Sequence, residues 1–115
     1  MADVEMSIIE RADELTQVAL SGRLDAVGVQ QVGIRFQGAT AERGFPTIID
    51  LSGVNFIASL GLGMLLAAAR ALHSRGARTV IVNPQPNVGK ALETAYMNAV
   101  IPVVASVEEA ETILK

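Results

Sequence analysis

The sequence of the central segment reads Thr47-Ile48-Ile49-Asp50-Leu51-Ser52-Gly53, then Val54-Asn55-Phe56-Ile57-Ala58, then Ser59-Leu60-Gly61-Leu62-Gly63-Met64-Leu65-Leu66-Ala67-Ala68-Ala69-Arg70. Its β-branched beginning predicts a buried strand, the Gly and Asn that follow predict a short turn, and its Leu-, Met- and Ala-rich end predicts a helix. Ser59 lies where this helix should begin, so its hydroxyl can cap the free backbone donors of the first turn. Those donors and the helix dipole make the position favourable for an anion such as a phosphate.

Shorter elements flank this unit on both sides. Loose alternation of apolar and polar residues predicts two strands at about residues 4–10 and 16–20, joined by a polar turn. Before the central unit, we expect a helix from Asp25 with an apolar face at Val29, Val32, Phe36 and Ala39. After it, we expect the central helix to end at Gly76, followed by a strand over Thr79–Val82, a loop over Asn83–Asn87 and a helix with Val88, Ala91, Leu92, Ala95 and Ala99 on one face. The chain should then form a strand near Val103–Val104 and a last helix that begins with a Ser106–Glu109 capping box. The order β β α β α β α β α predicts a single α/β domain over residues 1–115, with parallel strand pairs joined by right-handed crossovers.

The helix predicted from Asp25 carries three glycines. We expect Gly28, Gly33 and Gly38 each to weaken it by about 1 kcal/mol relative to alanine. This helix should therefore depend on tertiary packing.

Composition argues against several classes of protein. The chain has 115 residues, a net charge of -3 and no cysteine, and its only aromatic residues are Phe36, Phe45, Phe56 and Tyr96. The acidic balance and the scarcity of stacking side chains argue against nucleic-acid binding, and the lack of thiols excludes disulfides and thiolate metal sites. The acidic amino terminus shows no signal peptide, and the mainly apolar stretch over residues 56–69 is too short to cross a bilayer. We therefore expect a cytoplasmic protein without membrane insertion.

The central helix has two apolar faces on a wheel of 100° per residue. The residues expected to face the sheet are Leu62, Leu65, Leu66, Ala69 and Leu72. A second stripe lies nearly opposite and consists of Leu60, Met64, Ala67 and Ala71. Because methionine adapts its shape and alanine permits close approach, this stripe favours a surface for a partner protein. The alternative is that alanine is only a good helix former and that a neighbouring helix covers Met64.

An ordered set of segments resembles the STAS domain of bacterial anti-sigma factor antagonists. The segments are Gly22–Asp25, Ile48–Val54, Phe56–Gly63, and Val80–Pro84 followed by Val88. The resemblance covers nearly the whole chain and implies a STAS-like mixed sheet of four to five strands with helices mainly on one face. It also implies a non-enzymatic switch in transcription regulation that needs no cofactor and sequesters an anti-sigma factor.

The same resemblance implies which residues form the site. In that family the segment at 58–61 usually reads Asp-Ser-Ser-Gly or Asp-Ser-Thr-Gly, and its first Ser is phosphorylated by the anti-sigma factor, which is a serine kinase. Ser59 holds the acceptor position, while Ala58 and Leu60 depart from the family pattern. Asp25 matches the family's acidic residue on the neighbouring loop. The implied partner-binding surface comprises Arg23, Asp25, Ala58, Ser59, Leu60, Gly61, Met64, Ala67 and Ala71.

Other functions are less well supported by the sequence. His73 is the only histidine, and the sequence places no catalytic base beside Ser59. The Gly61-x-Gly63 motif lacks the third glycine of a dinucleotide-binding site. A receiver domain phosphorylated on Asp50 would need an acidic pair that this sequence lacks. The main alternative is a STAS subunit of a lipid ABC transporter or stress-signalling complex, which would bind its partner without phosphorylation. A homodimer is left open.

Overall fold

The chain builds one mixed sheet with helices on both faces in a computed structural model that describes residues 4–11 and 14–114. The elements are β1 Glu5–Arg11, β2 Leu15–Leu24, α1 Ala26–Ala39, β3 Thr47–Ile57, α2 Ser59–Ser74, β4 Thr79–Val82, α3 Pro86–Thr94, a 3₁₀ turn over Met97–Ala99, β5 Val103–Val104 and α4 Val107–Leu114. The sheet has five strands in the order β1-β2-β3-β4-β5. β1 is antiparallel to β2, whereas the other neighbouring strands are parallel. The predicted element order and fold class are confirmed.

The two faces of the sheet are covered unequally. On one face, α1, α2 and α3 pack on the sheet around fully buried side chains such as Phe36, Leu65 and Leu92. On the other face, α4 alone covers a smaller cluster that includes Ile48 and Val80. The prediction that the helices pack mainly on one face is therefore confirmed. No helix in the part of the chain that the structure describes is long and apolar enough to cross a membrane.

The central strand is longer than predicted. The expected turn over Val54–Ala58 is wrong, because β3 continues to Ile57 and only Ala58 separates it from α2. The second strand also extends beyond the predicted residues 16–20, so that Gly22 pairs with Val54 and Leu24 with Ile57. Two register shifts along this pair accommodate the extension. Gly53 therefore marks an irregularity within the strand and not the end of the strand.

The boundaries of α3 also differ from the prediction. The helix begins at Pro86, inside the predicted loop, and ends at Thr94, so Ala95 and Ala99 do not continue it. Proline suits the first helical position because its missing N–H would have no intrahelical partner there. Tyr96 has a φ of 59°, in the left-handed region, and this conformation stops the helix.

Candidate partner-binding site

The turns after β2 and β3 lie side by side at one edge of the sheet. Leu24 and Ile57 are paired at the carboxyl ends of these parallel strands, and the Ala58 N–H donates to the Leu24 carbonyl over 3.0 Å. The Asp25 turn therefore adjoins the start of α2 at Ser59. Open α/β sheets tend to carry their binding sites at this edge.

Two glycines allow the helices to approach this edge closely. A β-carbon on Gly28 would overlap the Arg23 carbonyl, and one on Gly61 would lie 2.6 Å from the Leu24 carbonyl oxygen. A β-carbon on Gly33, in contrast, would have only one neighbouring atom, at a distance of 4.0 Å. The expectation that Gly28 only weakens α1 is therefore incomplete, because its missing side chain lets the helix begin where it does.

Asp25 begins α1 and is held by two interactions. Its Oδ1 accepts the Gly28 N–H over 2.9 Å, which confirms it as the N-cap, and its Oδ2 lies 3.3 Å from the Arg23 Nε. The hydrogen bond from Gly28 is the main cause that lowers the pKa of Asp25, and the Arg23 guanidinium lowers the pKa further. The same guanidinium lies 4.2 Å from the centre of the Phe56 ring. Arg23 is thereby fixed between an acidic and an aromatic side chain.

Ser59 is the first residue of α2 and not its cap. The N-cap is Ala58, in extended conformation, and no side chain forms a cap hydrogen bond there. The capping interpretation of Ser59 is therefore wrong. Ser59 is exposed, as is Leu60, whose side chain is 58% accessible. A hydroxyl and an apolar side chain are thus presented together to solvent at an uncapped helix start.

The second apolar stripe of α2 is divided between solvent and α1. Leu60 and Ala67 are exposed, but Met64 and Ala71 are half-buried. Met64, Ala67 and Ala71 line a groove of about 230 Å³ between α2 and α1. The expectation that the whole stripe stands free of the domain is wrong for Met64 and Ala71, because the helical wheel did not include the neighbouring helix.

The face of α2 toward the sheet is also rotated relative to the prediction. Leu65, Ala69 and Leu72 are buried as expected, whereas Leu62 and Leu66 are only half-buried. Ala68 is buried in their place.

A shallow cavity on the α3 side of the start of α2 was not anticipated. It measures about 570 Å³ and is lined by residues that include Ser59, Asn87, Lys90 and Thr94. The Asn87 side-chain amide donates to the Asn55 carbonyl over 2.8 Å, which ties the start of α3 to β3. Sequence reasoning missed Lys90 because nothing in the spacing of α3 indicated which helix it would face.

The side chains considered for other functions are dispersed. His73 is exposed near the carboxyl end of α2, whereas Ser59 forms the other end of that helix. Asp50 accepts the Ser52 N–H over 2.9 Å within β3. No group of three His, Cys, Asp or Glu side chains suited to a metal ion occurs among residues 4–11 and 14–114.

Similarity to known proteins agrees with this architecture. Residues 8–104 match the family model described as "Mlab, STAS domain". An anti-sigma F factor antagonist of Lysinibacillus sphaericus is 32% identical over 81 residues, which cover 70% of this chain and 69% of the relative.

Solved structures show the same fold. An anti-sigma factor antagonist from Mycobacterium paratuberculosis superposes with a TM-score of 0.86 at 21% identity, over 97% of this chain and 94% of the other. The phosphorylated form of the Bacillus cell fate determinant SpoIIAA gives a TM-score of 0.72 at 24% identity, over 96% and 100% of the two chains. Together with the sequence matches, the five-stranded sheet and its element order show that this chain belongs to the STAS domain family.

Proposed function

We propose that this protein is an anti-sigma factor antagonist that binds an anti-sigma factor through the edge formed by Asp25, Ser59 and Leu60. The proposal depends above all on one observation, the exposure of Ser59 and Leu60 at the start of α2 beside the Asp25 turn. The similarity to the Lysinibacillus sphaericus antagonist supports the identity of the partner. In this proposal the partner is also a serine kinase, and phosphorylation of Ser59 ends the interaction.

The start of α2 can accept a phosphate without unfolding the domain. The Ser59 side chain is exposed, and it begins a helix of 16 residues whose positive dipole end carries no side-chain cap. Lys90 lines the cavity that also includes Ser59, which adds a cationic side chain to the surroundings. The fold should therefore persist in the phosphorylated protein.

The same phosphate should weaken binding of the partner. Phosphorylation adds about 1.5 to 2 negative charges. That charge would lie next to Leu60, an apolar side chain that we expect the partner to bury. Binding would then remove the phosphate from water, which is unfavourable for an unpaired charge. A loss of only ~1.4 kcal/mol in binding free energy weakens a complex tenfold, so a misplaced phosphate is sufficient to release the partner.

The proposal is tested by calorimetric titration of a cognate anti-sigma factor from the native host. We expect Ser59→Ala to bind like the unchanged protein and Ser59→Asp to bind at least tenfold more weakly. Ser106→Asp is the matched control, because Ser106 caps the start of α4 on the other face of the sheet and aspartate preserves that cap. Equal affinity of the Ser59→Asp and Ser106→Asp variants would contradict the switch.

Phosphorylation itself is tested by incubating this protein with the anti-sigma factor, ATP and Mg²⁺ and then measuring the intact mass of this protein. One added phosphate is expected on the unchanged protein and none on Ser59→Ala. A phosphate that persists in Ser59→Ala would place the acceptor elsewhere.

A second candidate function rests on the departures at Ala58 and Leu60. The family's usual carboxylate and second hydroxyl are missing from positions 58 and 60, which makes the exposed surface more apolar. A subunit of a lipid ABC transporter or stress-signalling complex would use this surface without phosphorylation. Tight binding of a transporter ATPase, unaffected by Ser59→Asp, would favour that function.

A further inference from the structure

A second cavity lies far from the Ser59 edge, at the other end of α2. It measures about 600 Å³ and is formed by the last turns of α2, the start of β4 and the segment from the 3₁₀ turn to β5. Cavities of this size commonly hold small organic molecules. It lies at the amino-terminal edge of β4 and shares no lining residue with the cavity beside Ser59.

The cavity wall is basic although the protein is acidic. Arg70, His73 and Arg78 line it, and none of the lining residues is an aspartate or glutamate. The chain as a whole carries a net charge of -3. Arg70 and His73 are three residues apart on α2, so their side chains lie on the same side of the helix. Such a concentration of cationic and hydrogen-bond-donating groups favours an anion.

One residue of the cavity wall carries a buried polar atom with no partner. Thr79 lines the wall and is only 6% exposed, and its Oγ1 is the one buried side-chain oxygen or nitrogen without a hydrogen bond within the described ranges. Thr47, which pairs with Thr79 on the neighbouring strand, donates its hydroxyl to the Phe45 carbonyl over 2.9 Å. Because buried polar groups are normally satisfied, the Thr79 hydroxyl has capacity for a further hydrogen bond.

Apart from Asn98, the remaining wall is apolar. It includes Ala69, Ala77, Val100 and Pro102, and Val100 is 57% exposed. An anionic head and a short apolar body would therefore both find matching surfaces.

We propose that this cavity binds a small amphiphilic organic anion, a carboxylate or a phosphate ester with a short aliphatic chain. The Arg70 and Arg78 guanidinium groups contact the anionic head, and rotation of the Thr79 side chain lets its hydroxyl hydrogen bond to one of the anion's oxygens. The aliphatic chain lies against Val100 and Pro102. The Arg78 guanidinium already donates to the Ile113 carbonyl of α4 over 3.2 Å, so its remaining N–H groups are the ones that contact the anion.

The test uses ¹⁵N-labelled full-length protein titrated with hexanoate and, separately, with hexyl phosphate. We expect saturable shifts of the amide signals of residues 70–79 and 98–102 with at least one of the two anions, and the stronger response identifies the head group. Hexylamine and hexanol, with the same chain but no negative charge, should give at least tenfold weaker binding, and inorganic phosphate should show what the apolar part contributes.

Variants locate the effect. Arg70→Gln should weaken binding of the preferred anion at least fivefold, and Thr79→Val should also weaken it. Arg35→Gln, which removes the same charge from the exposed surface of α1, should leave it unchanged. Because Arg70 is exposed, its variant should fold even if Thr79→Val does not. The proposal is overturned if neither anion gives saturable shifts, if hexanol binds as well as the anions, or if Arg70→Gln binds as tightly as Arg35→Gln.

Discussion

Replacing Gly61 with alanine should destabilise the protein, whereas replacing Gly63 with alanine should stabilise it. Both glycines lie near the start of α2, only two residues apart. A β-carbon on Gly61 would lie 2.6 Å from the Leu24 carbonyl oxygen and 2.8 Å from Ile57 Cγ1. One on Gly63 would meet no atom within 4 Å. The two substitutions therefore change helix propensity alike and differ in packing.

The magnitudes follow from these two effects. Alanine stabilises a helix over glycine by about 0.5 to 1 kcal/mol, and this is the whole expected effect at Gly63. At Gly61 the new methyl group overpacks a buried contact, which typically costs about 1 to 3 kcal/mol. The backbone carbonyl of Leu24 cannot rotate away as a flexible side chain could, so the cost should exceed the gain. We expect the two variants to differ by roughly 1 to 3 kcal/mol in free energy of unfolding.

Urea unfolding followed by far-ultraviolet circular dichroism measures this difference, since the chain contains no tryptophan. Heat denaturation provides a second measure, because 1 kcal/mol corresponds to about 4 °C in Tm for a domain of this size. If Gly61→Ala were as stable as Gly63→Ala, the start of α2 would not be packed tightly on Leu24. The proposed alignment of Ser59 with the Asp25 turn would then lose its structural basis.

Three further substitutions test the core, the exposed start of α2 and the cap of α1. Leu65→Ala should cost about 2 to 5 kcal/mol in urea unfolding because Leu65 is fully buried, whereas Leu60→Ala should change stability by less than about 0.5 kcal/mol because Leu60 is exposed. The lowered pKa of Asp25 means that its contribution to stability is present above the unfolded-state pKa, near 3.9, and is lost as the pH falls through the folded-state value. Asp25→Asn keeps a capping oxygen without the titration, so stability should fall less steeply below about pH 4 than in the unchanged protein; an identical acid profile would exclude this role.

Much of the fold could be predicted because local patterns and tertiary structure agree. The β-branched run at Thr79–Val82 is a fully buried strand as predicted, and Gly76 ends α2 with a φ of 80°. The last helix begins as its capping box indicates, with the Glu109 N–H donating to the Ser106 hydroxyl. The Glu109 carboxylate reaches the Ala105 N–H rather than that of Ser106, at 3.4 Å.

The errors arose where pairing or packing with a distant segment decided the outcome. β3 continues past Gly53 because β2 runs alongside it to Leu24. Met64 is half-buried because α1 lies beside α2. Residue spacing within a single strand or helix does not show which other element will pack against it. The basic cavity brings Arg70 together with Thr79 and Val100 from separate elements, so only the folded chain could show it.

The order of the strands has a consequence for how the molecule assembles. Each strand pairs with the one that precedes it in the chain, from β1 to β5. No strand has to be inserted between two partners that have already joined, and no pairing waits for a remote part of the chain to arrive. Growth from one edge to the other therefore closes a connection of 20 to 22 residues for each parallel pair and none that is longer, so the strands can join the sheet in the order in which the ribosome delivers them.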